Sequence, residues 1–77
     1  MMPLGRYRHF KGKEYEVIGV AQHSETLEEF VVYQMLHENY GLWIRPLEMF
    51  QGDVEVNGKM VRRFTFVRTL FEEAPIE

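Results

Sequence analysis

Residues 24–41, SETLEEFVVYQMLHENYG, decide the fold, because the same letters read as a helix or as a strand. The helix reading takes Thr26 as N-cap with Glu29 three residues on, a capping box, and Gly41 as the stop. Against it, Phe30 to Leu36 is apolar nearly all round a helix, with Gln34 inside the stripe formed by Leu27, Phe30, Val31 and Met35. Such a helix needs burial on every side, and a 77-residue chain has little core to hold it. The run Phe30-Val31-Val32-Tyr33 is β-branched and aromatic, which suits a pleated, half-buried surface. Strand is the favoured reading, and it makes the chain all-β.

Working outward, the neighbouring segments have strand character as well. Arg6 to Phe10 alternates charged and aromatic residues between Gly5 and Gly12, with Tyr7 and His9 on one face. Tyr15 to Ala21 alternates until Ile18-Gly19-Val20, where the interior glycine predicts a bulge or sharp bend of the kind that closes small barrels. Leu42 to Arg45 is a strand ended by Pro46, with Leu42 and Ile44 on one face and Trp43 and Arg45 on the other. Leu47 to Phe50 reads as a single helical turn able to plug one end of the core. Asn57-Gly58, between Val54-Glu55-Val56 and Lys59-Met60-Val61, is a type I′ hairpin signal, and Phe64 to Val67 is the last strand. The expected architecture is a small, strongly bent, mostly antiparallel barrel or roll of roughly five or six short strands.

Length and composition bound the rest. Seventy-seven residues, 45% hydrophobic and 14% aromatic, fit one globular domain over 1–77, with an expected core at about 5–71 and loose ends at 1–4 and 72–77. With no cysteine, a small core gains nothing from disulfides or thiolate zinc and depends on packing. No signal-peptide run or apolar stretch of membrane-spanning length is present, so a soluble, cytoplasmic protein is expected. The net charge of −3 hides two basic clusters, Arg6, Arg8, Lys11 and Lys13 near the start and Lys59, Arg62, Arg63 and Arg68 near the end. If the terminal strands pair, both clusters join into one stripe.

A set of spaced motifs adds to this. Gly5-Arg-Tyr7-Arg-His9-Phe10-Lys11-Gly12, then Tyr15 and Val17, Ala21 with His23-Ser24-Glu25-Thr26, Val31-Val32-Tyr33, Leu42-Trp43-x-Arg45-Pro46 with Phe50, and Arg63-Phe64 resemble a bacterial family known as domain of unknown function family 1653. The match spans nearly the whole chain, with residues 54–62 fitting more loosely. What the resemblance implies is an SH3-like barrel or roll, and it implies no activity, cofactor or catalytic residue.

The tetrad His23-Ser24-Glu25-Thr26 sets a base, a carboxylate and two hydroxyls between two core-forming runs. As catalytic machinery it is weak, because adjacent residues in an extended chain point to alternate faces and no glycine-rich nucleophile turn is present. As structure it is a turn whose hydroxyls bond nearby backbone while His23 caps the barrel end. As a binding feature it presents donors and acceptors to a ligand. His9, His23 and His37 lack the local spacing of a metal motif, so neither a metal nor another cofactor is expected. Tyr7, Phe10, Tyr33 and Trp43 read mainly as core. If Leu42 and Ile44 point inward, however, Trp43 and Arg45 form an accessible aromatic and cationic pair, with an ion pair to Glu25 or another acid as the structural alternative for Arg45.

The expectation is therefore a non-catalytic binding or interaction module for a small molecule, protein or peptide, using His23, Ser24, Glu25, Thr26, Trp43 and Arg45. The alternative is RNA or single-stranded nucleic acid on Arg6, Arg8, Lys11, Lys13, Arg62 and Arg63, interleaved with aromatic residues. Twelve acids and a pI near 5.6 weigh against the alternative. A monomer or weak homodimer is expected, the latter by pairing through an exposed Arg6 to Phe10 edge.

Overall fold

In the structure, a computed structural model that describes residues 2–36 and 41–69, the deciding stretch is extended. The elements run β1 (Gly5–His9), β2 (Glu14–Gln22), β3 (Glu29–Met35), β4 (Leu42–Pro46), α1 (Leu47–Phe50), β5 (Asp53–Val56), β6 (Lys59–Arg62) and β7 (Phe64–Thr69). The all-β, small barrel-like fold is as expected, but the described residues hold seven strands rather than five or six. Each of the seven segments with strand character forms its own strand, and the β5–β6 hairpin stands as a separate two-stranded sheet.

The main sheet has the order β4-β3-β2-β1-β7, and all its pairings are antiparallel. The register shift between Val17 and Gly19 against β3 is the bulge foreshadowed by the interior glycine. A second shift lies between Arg6 and Tyr7 against β7. Both strengthen the twist and curl of the sheet. Laid flat, four interstrand steps of about 4.8 Å would separate the edge strands by roughly 19 Å. The guanidinium of Arg45 on β4 nevertheless lies 5.9 Å from the centroid of the Phe64 ring on β7. The sheet has rolled far enough for the Arg45 side chain of one edge strand to reach the Phe64 ring of the other, and this crossing forms a seam.

Inside the roll, alternation aims Tyr7, Val17, Val31, Tyr33 and Phe64 at one another, with Phe50 inserted from α1. Phe50 is 1% exposed, stacks on Phe64 at 4.0 Å and meets Tyr7 and Tyr33 edge-on at 5.4 and 5.3 Å. These offset and edge contacts contribute beyond area burial. Burial pushes the Tyr7 phenol above its ordinary pKa, and its hydroxyl donates to the Pro3 carbonyl at 2.7 Å. The start of the chain is accordingly held: Met2 is 7% exposed and Leu4 packs on the core, where loose ends over residues 1–4 were expected. Residues 72–77 lie outside the described residues.

Three further expectations change. β1 is not an exposed edge, because β7 returns to pair with it opposite β2; the edges are β4 and β7. Of the expected core aromatics, Tyr7 and Tyr33 are buried, whereas Phe10 and Trp43 are exposed. Leu42 and Ile44 face outward at 65% and 63% exposure, so the accessible-pair condition on them is not met. The register explains this: Arg45 lies opposite Val31 and Trp43 opposite Tyr33, both buried, so parity puts Trp43 and Arg45 on the inner face. The Asn57-Gly58 turn has φ of 52° and 80°, as a type I′ turn requires.

Candidate ligand-binding site

The tetrad forms the turn between β2 and β3, and its polar groups are largely spent on the turn itself. Nδ1 of His23 accepts the backbone N–H of Glu25 at 3.1 Å and of Thr26 at 3.3 Å. Thr26 Oγ1 accepts the Glu28 N–H at 3.2 Å, and the His23 N–H and carbonyl bond Glu28 and Leu27. Leu27 takes a positive φ of 66° to complete the reversal. His23 also sets its ring 6.4 Å from Phe30, whose side chain alternates to the face opposite Val31 and hence opposite Arg45. From Glu29 at the turn to Tyr33 beside Trp43 is about 13 Å along the strand at roughly 3.3 Å per residue. The structure thus brings Trp43 and Arg45 together but leaves the tetrad at the end of the β2–β3 hairpin.

The basic clusters do meet, since β1 pairs with β7 and Arg6 lies opposite Arg68. Carboxylates interrupt the stripe. Arg6 reaches Glu14 at 3.5 Å and Glu16 at 3.6 Å, and Arg8 grips one Glu14 oxygen through Nε and Nη2 at 3.1 and 2.9 Å. Lys11 lies 5.9 Å from the Phe10 ring centroid, and Arg62 donates to the Gln51 carbonyl at 3.3 Å. Lys13 is also engaged.

Arg45 and Arg63 are different. Both are half-buried, their Nε atoms are buried without a protein acceptor, and neither makes an ion pair among the described residues. The ion pair expected for Arg45 is replaced by its position over Phe64. Trp43, 49% exposed, sits two residues before it on the same strand face.

His9, which the sequence offers only as one ring among the basic clusters and as a member of an unfavoured three-histidine set, completes this neighbourhood. It lies opposite Phe64 in the β1–β7 ladder, with the rings 5.0 Å apart and edge-on. Its Nδ1 accepts the Lys11 N–H at 3.1 Å, so the neutral ring carries its proton on Nε2. Burial, then the charges of Arg45, Arg63 and Lys11, hold its pKa below the ordinary histidine value. The only hint in the sequence was the shared parity of Tyr7 and His9; that β4 comes round to face them depends on the curl.

His9 also lines a cleft of about 460 Å³ between β1 and the β5–β6 hairpin, walled by Phe10, Val56 and Val61. Among the described residues no three histidines, aspartates or glutamates cluster as metal ligands, and His37 lies outside them. No described helix is long and apolar enough to cross a membrane.

The family model described as "Protein of unknown function (DUF1653)" matches residues 5–66. A crystal structure of a protein belonging to DUF1653 from Bordetella bronchiseptica is similar, with 33% sequence identity, a TM-score of 0.79 and coverage of 95% of each chain. No match is found among curated proteins.

Proposed function

The chain belongs to the DUF1653 family, whose description carries no activity, and we propose that it is a non-catalytic binding module whose β4 face takes an anionic ligand bearing a planar group. The observation that carries this reading is the half-buried Arg45 guanidinium on Phe64, which lacks a carboxylate partner among the described residues although Arg6 and Arg8 have theirs. A cation drawn out of water without a partner costs stability, which makes a ligand oxyanion the natural complement. Trp43 beside it offers a half-open ring for stacking. The tetrad, expected to supply hydrogen bonds, keeps the exposed Ser24 and Glu25 groups and the donors of His23 and Thr26, since the acceptors of His23 and Thr26 are occupied by the turn. That occupation of His23 Nδ1 also speaks for binding rather than general-base catalysis.

Single-stranded nucleic acid is the second reading, favoured by the β1–β7 pairing that aligns the basic clusters. Its weakness is the engagement of Arg6 and Arg8 by Glu14 and Glu16. An amide-resolved NMR titration separates the readings, using a panel of aromatic carboxylates and phosphates and, separately, a mixed single-stranded RNA pool at low and moderate salt. The leading reading expects saturable shifts at residues 31–33 and 43–45 that vanish in Trp43→Ala and Arg45→Ala. If both variants bind an identified ligand as well as the wild type, the site is wrong. Salt-sensitive shifts confined to residues 6–13 and 62–68, lost on charge reversal at Arg6 and Arg63, would transfer the function to nucleic acid.

A further inference from the structure

The seam where Arg45 of β4 reaches over Phe64 of β7 has cations from three separate parts of the chain around His9. Arg45 comes from β4, Arg63 from the link between β6 and β7, and Lys11 from the turn after β1. Their positive charges, after burial, hold the His9 pKa below its ordinary value, and the His9 and Arg45 side chains both lie against the Phe64 ring, at 5.0 and 5.9 Å. Arg63 is anchored through its backbone, its N–H donating to the Gly52 carbonyl at 3.1 Å and its carbonyl accepting from Phe10 at 2.9 Å. Its backbone is therefore fixed at the junction of the hairpin arm with the main sheet. Buried polar atoms are almost always hydrogen-bonded, so two arginine Nε groups without protein acceptors beside one histidine need an explanation. Arg6 Nε is also buried without a hydrogen-bond partner, but it has the charge of Glu16 at 3.6 Å, which Arg45 and Arg63 lack among the described residues. In a chain with net charge −3, three cations and a histidine gathered without a counter-charge among the described residues do not follow from composition.

We infer that the seam is a binding site for a terminal phosphate monoester, held by Arg45, Arg63 and the Nε2–H of His9, with Lys11 at its rim. The inference rests on the reading above, that the Arg45 face is a ligand site, and names the group it takes. Charge decides between oxyanions. A carboxylate brings one negative charge, whereas a phosphate monoester brings about −1.5 to −2 near pH 7 and three acceptor oxygens. That is the better match to three cations and a ring N–H, and arginine–phosphate contacts are among the stronger charge-assisted hydrogen bonds.

The test is a titration of the full chain in chloride buffer, following the arginine Nε–H and His9 ring signals by NMR. The probes are inorganic phosphate, a nucleoside 5′-monophosphate, the corresponding nucleoside, and acetate. Both phosphate probes should shift Arg45 and Arg63 Nε–H saturably while acetate and the nucleoside do not, and His9 should take up its proton at higher pH when phosphate is bound. Arg63→Gln should weaken phosphate binding by about tenfold or more and cancel the His9 response, with Arg63→Lys partly restoring both. Lys11→Gln, at an exposed turn, gives a smaller loss and guards against a folding defect at Arg63. A 5′-phosphorylated oligonucleotide binding about tenfold tighter than the mononucleotide would identify a nucleic-acid end as the source of the phosphate; equal affinity would identify a free small molecule. No saturable shift with either phosphate probe up to about 10 mM, an affinity worth less than about 3 kcal/mol, overturns the site. If aromatic carboxylates still move Trp43 and Arg45 in that case, the phosphate inference falls alone. If they do not, the binding-module reading falls with it.

Discussion

Replacing Arg45 with methionine should make the protein more stable, the opposite of what removing a structural brace would do. Methionine keeps the unbranched apolar stem that packs along the inner face and deletes the guanidinium. What is gained is relief from a buried Nε–H without an acceptor, a group whose desolvation costs about 1–3 kcal/mol. What is lost is the contact of the guanidinium with the Phe64 ring at 5.9 Å, about 0.5–1 kcal/mol at a partly exposed site. The difference is a net stabilisation of roughly 0–2.5 kcal/mol. For a domain of this size the urea dependence is about 1 kcal/mol per molar, so the midpoint should rise by up to roughly 2.5 M. Arg8→Met is the control of opposite sign: Arg8 is exposed and paired with Glu14 at 2.9 Å, and losing that pair should lower stability by about 0.2–1 kcal/mol. Equilibrium urea unfolding followed by Trp43 fluorescence, with amide spectra to confirm an unchanged fold, measures both. A midpoint for Arg45→Met about 0.5 M or more below wild type refutes the reasoning, because Arg45 would then hold the seam together and its lack of a partner would say nothing about a ligand.

The other predictions concern the core, the turn and pH. Phe50→Leu removes ring contacts with Phe64, Tyr7 and Tyr33 and should cost about 1–2 kcal/mol, whereas Leu42→Ala on the outer face should stay within about 0.5 kcal/mol in the same urea assay; equal effects would contradict the inner and outer assignment. In the β2–β3 turn, His23→Ala should cost about 0.5–1.5 kcal/mol by removing the acceptor for two backbone N–H groups, while Ser24→Ala should be near neutral in thermal unfolding; the reverse order would reassign the turn's support. Since burial and then Arg45, Arg63 and Lys11 hold His9 below its ordinary pKa, the unfolded chain takes up this proton first as pH falls through about 6.5. The His9 contribution is therefore full above about pH 6.5 and declines below it toward the folded-state pKa, with a slope of at most about 1.4 kcal/mol per pH unit. Urea unfolding of wild type and His9→Gln between pH 8 and pH 5 should show the two stabilities converging as pH falls, and a pH-independent difference would remove this linkage.

How much of this was open to sequence reading depends on the range of the interaction. The choice of strand over helix for Phe30 to Leu36, the bulge at Gly19, the Asn57-Gly58 turn and the helical turn ending at Phe50 are set by nearest neighbours and periodicity, and all are found in the structure. That Trp43 and Arg45 share a face also followed, because strand alternation is local. Which way that face points did not, since parity says only that the two sets are opposite, and pairing with Val31 and Tyr33 decides which is inside. Nor was it legible that β1 would lie between β2 and β7, or that carboxylates of β2 would neutralise the arginines of β1. The seam is the clearest case: His9, Arg45 and Arg63 lie far apart in the chain, and they meet only because the sheet rolls far enough to bring Arg45 of β4 over Phe64 of β7. Propensity and pattern, which act over a few residues, determined the elements; the curl and closure of the sheet, a cooperative result of twist, bulges and packing on Phe50, decided which charges face one another.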